Sequence, residues 1–279
     1  MCGAGYVQPE HYATWDCAVG LLSKETSGAG CLGLVSMFNG LGNMTLACTM
    51  MAIACVGFDI CNHWKKEDVL NIYGVQHMLA SVVRLARGGC LWMGPPCCSW
   101  IWLTRSKSKR TATQPEGLGW RDPWVFSHNR IAATVAAFAR AAHRLGIYFV
   151  IEQPRGSLLF EFPALKEIIS STGAVSITLN LADFGGDSLK PLCLVGTAPW
   201  LHDLASTRFP RGLRLRKLST RDDHGRVTGN NNYNCSDFWW EFVIVRYFQE
   251  TWPDVIQGMI PLLSNMNDIS LCTGRVARL

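Results

Sequence analysis

Apolar positions along this chain fall into short continuous runs closed by glycine- or proline-bearing turns, alternating with stretches whose apolar residues recur every three or four positions. Residues 32–37 (LGLVSM) read as a buried strand that stops at Asn39-Gly-Leu-Gly-Asn43. Residues 44–54 read as a helix apolar on most sides, and 55–58 as a second short strand ending at Asp59. Val75, Met78, Leu79, Val82 and Leu85 share helical spacing, with Gly88-Gly89 expected to end that helix. A strand at 90–93 then stops at Gly94-Pro95-Pro96, and the polar, basic stretch 104–122 is expected to hold no packed element. The clearest helix covers 123–145: Pro123 suits its first turn, Ile131, Val135, Phe138, Ala142 and Leu145 share one face, and Gly146 follows. After it come a strand at 147–151 ending in Glu152-Gln153-Pro154, a short helix at 163–171, and strands at 175–181 and 191–195. Past Trp200 the chain turns basic and then turn-rich, before two helical segments near 237–249 and 255–263.

Strands alternating with helical crossovers of this length predict an α/β fold: a doubly wound, mostly parallel, Rossmann-like sheet with helices on both faces and a small irregular C-terminal appendage. The expected organisation is an N-terminal arm (1–30), a catalytic core (31–199), a reduced basic, turn-rich segment (200–235) and C-terminal helices packing back on the core (236–279). Composition agrees with a large packed core. The 279 residues are 48% hydrophobic and 17% charged, which excludes a disordered chain. No charged residue occurs from Thr26 to Phe58, yet the Gly/Asn turn inside that run divides it into two short elements rather than one membrane span. The first twenty residues lack the pattern of a secretory leader, so an intracellular site, nucleus or cytoplasm, is expected. The 12 cysteines are scattered and read as reduced; none has the paired spacing of a metal site.

Such sheets bind ligands at the carboxyl ends of their strands. A glycine turn (Gly40, Gly42), an acid (Asp59), a cysteine (Cys97) and a second acid (Glu152) are all expected at that edge. Gly40 and Gly42 admit close approach of a ligand, and a strand-end carboxylate such as Asp59 suits ribose hydroxyls. With no complete phosphate-binding glycine motif, an adenosine cofactor without phosphates, such as S-adenosylmethionine, fits best. Two prolines hold Cys97 on a stiff loop, followed by Arg105, Lys107, Lys109 and Arg110. Glu152 ends an apolar strand, where a carboxyl group tends to stay protonated and so can donate a proton.

The ordered set Phe38-Asn-Gly-Leu-Gly-Asn, Gly-Pro-Pro-Cys97, Glu152-Gln-Pro, Phe184-Gly185, Lys190-Pro191 and Val195-Gly196 resembles the C5-cytosine DNA methyltransferase family. The resemblance implies that Phe38, Gly40, Gly42 and Pro96 line an S-adenosylmethionine pocket, with Phe38 against the adenine and Asp59 on the ribose. It implies that Cys97 adds to C6 of a flipped-out cytosine while Glu152 protonates or hydrogen-bonds N3. Departures are Asn43 for a glycine, Gln153-Pro154 for Asn-Val, and a missing Gln-x-Arg-x-Arg pattern, with Lys190 the nearest cation. The segment after Gly196 is also short for a target-recognition domain.

The net charge of +5 is concentrated: four cations lie within 105–110 and five within 208–217, with no acid in either span. Such clustering suits nucleic-acid phosphates, with Arg105, Lys107, Lys109, Arg110, Lys190, Arg211, Arg214 and Arg216 as contacts, and the resemblance implies DNA rather than RNA. The alternatives are a catalytically inactive methyltransferase-like module that binds nucleic acid or protein, and an RNA cytosine methyltransferase. A cysteine hydrolase requires a histidine near Cys97, and His128 and His143 are assigned instead to the long helix and its leading turn.

Overall fold

The computed structural model describes residues 30–180 and 191–206, together with the backbone of two short strands at 219–221 and 227–229. Six strands form one sheet in the order β2-β1-β3-β4-β6-β5. They are β1 (Leu32–Met37), β2 (Cys55–Phe58), β3 (Leu85–Met93), β4 (Tyr148–Pro154), β5 (Val175–Asn180) and β6 (Pro191–Gly196). The first four run parallel, and β6 lies antiparallel between β4 and β5. The sheet is therefore mostly parallel, as the alternating pattern requires. A separate antiparallel ribbon joins β7 (Ser219–Arg221) to β8 (Val227–Gly229).

Helices cover both faces. In chain order they are α1 (Asn43–Met50), α2 (Ile72–Val82), α3 (Arg105–Ser108), α4 (Pro123–Arg144), α5 (Pro163–Thr172) and α6 (Leu201–Ser206). Successive side chains of a strand point to opposite faces, so each central strand feeds two cores. Val35, Leu91, Phe149 and Ile151 pack with Met78, Phe138 and Leu165 on the face of α2, α4 and α5. Leu34, Trp92 and Val150 pack with Met44, Trp200 and Leu204 on the face of α1 and α6. All six residues of β1 are buried, which explains its unbroken apolar run.

The uncharged run, from residue 30 onward, is β1, a turn, α1 and β2. Among the described residues no helix is long and apolar enough to cross a membrane.

Several assignments differ from expectation, including β4, which runs to Pro154 rather than stopping at residue 151. Gly88 and Gly89 do not end α2, which stops at Val82; they lie inside β3, which starts at Leu85. Leu32 pairs with Leu85 but Leu34 with Cys90, so the glycines form a bulge. A side chain on Gly89 would press on the backbone oxygens of β1. Helix α1 ends at Met50 rather than continuing to residue 54, because Ala52 takes φ 55°. The basic stretch 104–122, expected to be unpacked, contains α3 and a fully buried Arg110.

Candidate active site

From β1 the chain crosses to β2 on one side, and β3 then lies on the other. A crevice opens at such a reversal, outside the carboxyl ends of β1 and β3. Met37 hands over to Phe38, which adopts φ 59°, an uncommon value for a bulky residue. Gly40 and Gly42 follow at φ 54° and 79°, and Gly42 opens α1. The turn is tied on three sides. Asn39 Nδ2 donates to Thr45 Oγ1 at 3.0 Å, Gly42 N to Asn39 O at 2.8 Å, and Gly40 N to Asp59 Oδ2 at 2.8 Å. Gly57 in β2 completes the arrangement, since a side chain there would collide with the Asn39 amide. Sequence reasoning overlooked Gly57, although a glycine inside a strand is a recognised sign of close approach.

Asp59 faces the turn more than the crevice. Its Oδ2 holds Gly40 N, and its Oδ1 accepts from Cys61 N at 3.0 Å. Its own amide donates to Glu67 Oε2 at 2.7 Å, a further acid that sequence reasoning did not single out.

Across the crevice, β4 runs three residues past the end of β3. Ile151 pairs with Met93, and Glu152, Gln153 and Pro154 pair only with β6. This overhang carries Glu152 to the Gly-Pro-Pro turn, where its Oε2 and the Phe38 carbonyl both border the space beside Gly94. The result is a cavity of about 240 Å³ lined by Phe38, Pro96, Cys97 and Glu152. Ser36, Met44, Trp92 and Gln153 complete much of the wall. Four of the seven residues expected to act at the site thus meet in one cavity, while Gly40, Gly42 and Asp59 form its turn rather than its lining.

Gln153 stood out in the sequence only as a departure from the family pattern. Here it is 1% exposed; its Nε2 donates to Pro95 O at 2.6 Å, and its Oε1 accepts from Ser157 Oγ at 2.8 Å. The amide locks the cysteine-bearing loop to the end of β4.

Beyond Cys97 the basic loop divides. Arg105, Lys107 and Lys109 are exposed beside exposed Trp102 and Trp120. Arg110 is not available to phosphates, which corrects the expectation for it. Its guanidinium lies 3.4 Å from the centre of the Trp100 ring. Its donors serve Ser99 O at 3.0 Å, Ser99 Oγ at 3.1 Å, Asn129 Oδ1 at 2.7 Å, Val125 O at 3.3 Å and the Pro115 carbonyl. Burial holds its pKa down to about 10. Lys190, Arg211, Arg214, Arg216, Phe184, Gly185 and the two C-terminal helical segments lie outside the described residues.

His128 and His143 both lie in the long helix, as expected. His128 projects from α4 to Cys98, with Nε2 3.1 Å from Sγ. The three- and four-residue helical period brings it back over the loop, something chain distance alone conceals.

No family model and no curated protein matches the chain. Among solved structures, it is similar to the Dnmt2 methyltransferase of S. pombe, at 14% identity and TM-score 0.38, over 65% of this chain and 56% of that one. It is also similar to the Entamoeba histolytica methyltransferase EhMeth, at 15% identity and TM-score 0.36, over 67% of this chain and 57% of that one. This chain therefore spans less than two thirds of the length of either. Among the described residues no group of three or more His, Cys, Asp or Glu could hold a metal ion.

Proposed function

We propose that the protein is an S-adenosylmethionine-dependent methyltransferase acting on C5 of cytosine in DNA, with Cys97 as nucleophile and Glu152 as its acid partner. The observation that carries this reading is the meeting of Phe38, Cys97 and Glu152 in one cavity at the strand reversal. The residues suit the cofactor. Phe38 offers an aromatic wall, and α1 starts at Gly42 with no side-chain cap, leaving amides for a carboxylate. Each Asp59 oxygen accepts one backbone amide and keeps a second lone pair for a ribose hydroxyl. When bound, the sulfonium cofactor supplies an electrophilic methyl group.

The chain's own part is nucleophile, acid and frame. Cys97 as thiolate adds to C6, and Glu152 donates a hydrogen bond or proton to N3, so the ring's electron density moves to C5. After C5 takes the methyl group and loses its proton, cysteine leaves and the base becomes aromatic again. Gln153 holds the loop throughout, because its amide is fixed at both ends. Exposed Arg105, Lys107 and Lys109 border the cavity's loop and suit the phosphates of a bound strand.

One observation favours a second reading, a binding module without catalysis: each Asp59 oxygen already accepts a backbone amide, Oδ2 from Gly40 and Oδ1 from Cys61. A single experiment separates the two. The protein is mixed with S-adenosylmethionine and a DNA oligonucleotide containing 5-fluorocytosine, and covalent adduct is read by intact mass. The expected adduct is lost in Cys97→Ser and retained in Cys98→Ser. Cofactor and DNA binding without adduct decides for the binding module; an adduct with the matching RNA alone moves the substrate to RNA. Failure to bind the cofactor overturns the methyltransferase reading.

A further inference from the structure

We propose that Cys98 and His128 form a second thiol site, distinct from the Cys97 cavity, at which the histidine acts as base and the thiol takes a hydroperoxide. The two adjacent cysteines serve different surroundings. Cys97 lines the cavity, whereas Cys98 does not; it is exposed, and its Sγ lies 3.1 Å from His128 Nε2. The direction of that hydrogen bond follows from the other ring nitrogen. His128 Nδ1 sits 2.7 Å from the Trp124 carbonyl, which can only accept, so Nδ1 carries the ring proton and Nε2 presents its lone pair to the thiol.

The pair is held from both sides. The Cys98 carbonyl accepts from Thr104 Oγ1 at 2.6 Å, and the imidazole, 8% exposed, meets the Trp124 ring edge-on at 5.2 Å. Burial first, and also the charge of Arg110, keep the imidazole below its usual pKa, so at pH 7 the ring is neutral and its Nε2 lone pair is free to accept a proton. Lys107 lies 4.4 Å from the centre of the same Trp124 ring. An exposed sulfur within hydrogen-bond reach of a base with a fixed tautomer is the arrangement of a nucleophile and its base.

The reaction balances without any other partner. Cys98 passes its proton to Nε2, and the thiolate attacks one peroxide oxygen. A sulfur–oxygen bond forms as the oxygen–oxygen bond breaks. Sulfur is oxidised by two electrons to sulfenic acid, the peroxide is reduced, and the imidazolium proton leaves with the departing oxygen as water or alcohol. A disulfide between the neighbours is not part of the scheme. Adjacent Cα atoms sit closer than disulfide geometry prefers, and Cys97 and Cys98 serve opposite sides of the loop.

The test uses the full chain, hydrogen peroxide at neutral pH and a sulfenic-acid trap, with labelling rates read peptide by peptide by mass spectrometry. Cys61 is the internal reference, an exposed thiol that neighbouring Asp59 pushes up in pKa. Cys98 is expected to label about tenfold faster or more, since an unassisted thiol is only a few per cent thiolate at neutral pH. His128→Asn should slow Cys98 about tenfold against its wild-type rate and leave Cys61 unchanged, with folding of the variant checked by circular dichroism. Should the variant not fold, the wild-type ratio of Cys98 to Cys61 decides. Equal rates in the wild type, labelling at Cys97 in place of Cys98, or an unchanged Cys98 rate in a folded His128→Asn would each overturn the proposal. None of these readouts depends on methyl transfer.

Discussion

Arg110 shows how a charge can belong to the core. Its planar fork satisfies carbonyls from the cysteine loop, from Pro115 and from the first turn of α4, and stacks on Trp100. Arg110→Met removes those donors and leaves buried carbonyls unpaired, so it should destabilise the fold by about 3 kcal/mol, read from urea unfolding. His128 supplies a pH prediction of definite sign. Its folded-state pKa is lowered, so the unfolded chain binds the extra proton first. Its contribution is complete above the unfolded-state pKa of about 6.5 and is lost as pH falls below it. Thermal melts from pH 7.5 down to 5 should therefore show a decline that flattens in His128→Asn; parallel curves for the two proteins would contradict this.

At the level of elements, the overhang of β4 past β3 builds the cavity. Because β6 pairs with Glu152, Gln153 and Pro154 on the far side, those residues keep strand geometry without a β3 partner. Glu152 and Gln153 both border the cleft, and the Gln153 side chain also clamps Pro95. Gln153→Leu keeps the volume and removes the clamp. We expect the 5-fluorocytosine adduct to form on the order of a hundredfold more slowly, as for a displacement of about 1 Å, while cofactor affinity stays unchanged. Equal loss of both would mean that Gln153 supports the whole site rather than the loop. The N-terminus of α4 is fixed separately by Asp122, whose Oδ1 accepts from Trp124 N at 2.9 Å and Val125 N at 3.1 Å. Asp122→Ala should cost about 1 kcal/mol of stability in denaturant titrations. Since α4 carries His128, it should also slow Cys98 labelling.

For the whole molecule, the reading as a nucleic-acid enzyme makes the exposed cations additive. Replacing Arg105, Lys107 and Lys109 together with Ala should weaken DNA binding and reduce the salt slope by about 2 to 3 units, near 0.9 per phosphate contact. Anisotropy titrations across a range of salt concentrations measure it, and an unchanged slope would place the strand elsewhere. The strands at 32–37 and 55–58 and the long helix from Pro123 were legible from periodicity, since burial on one face or two writes itself directly into the order of residues; the strand expected to end at residue 151 instead carries Glu152 inside it and runs on to Pro154. Gly88-Gly89 was misread because one glycine pair can end a helix or bulge a strand, and only the register against β1 distinguishes the two. Arg110 was misread because a cation's sequence neighbours do not reveal which distant carbonyls will surround it. By itself the sequence determined the layered α/β order and the chemistry at the strand ends, both properties of local pattern. Only the tertiary structure decided which of those groups share a cavity, that Gln153 holds the loop, and that His128 meets Cys98. Those outcomes depend on strand order, overhang and helix phase, which bring together residues that no local pattern links.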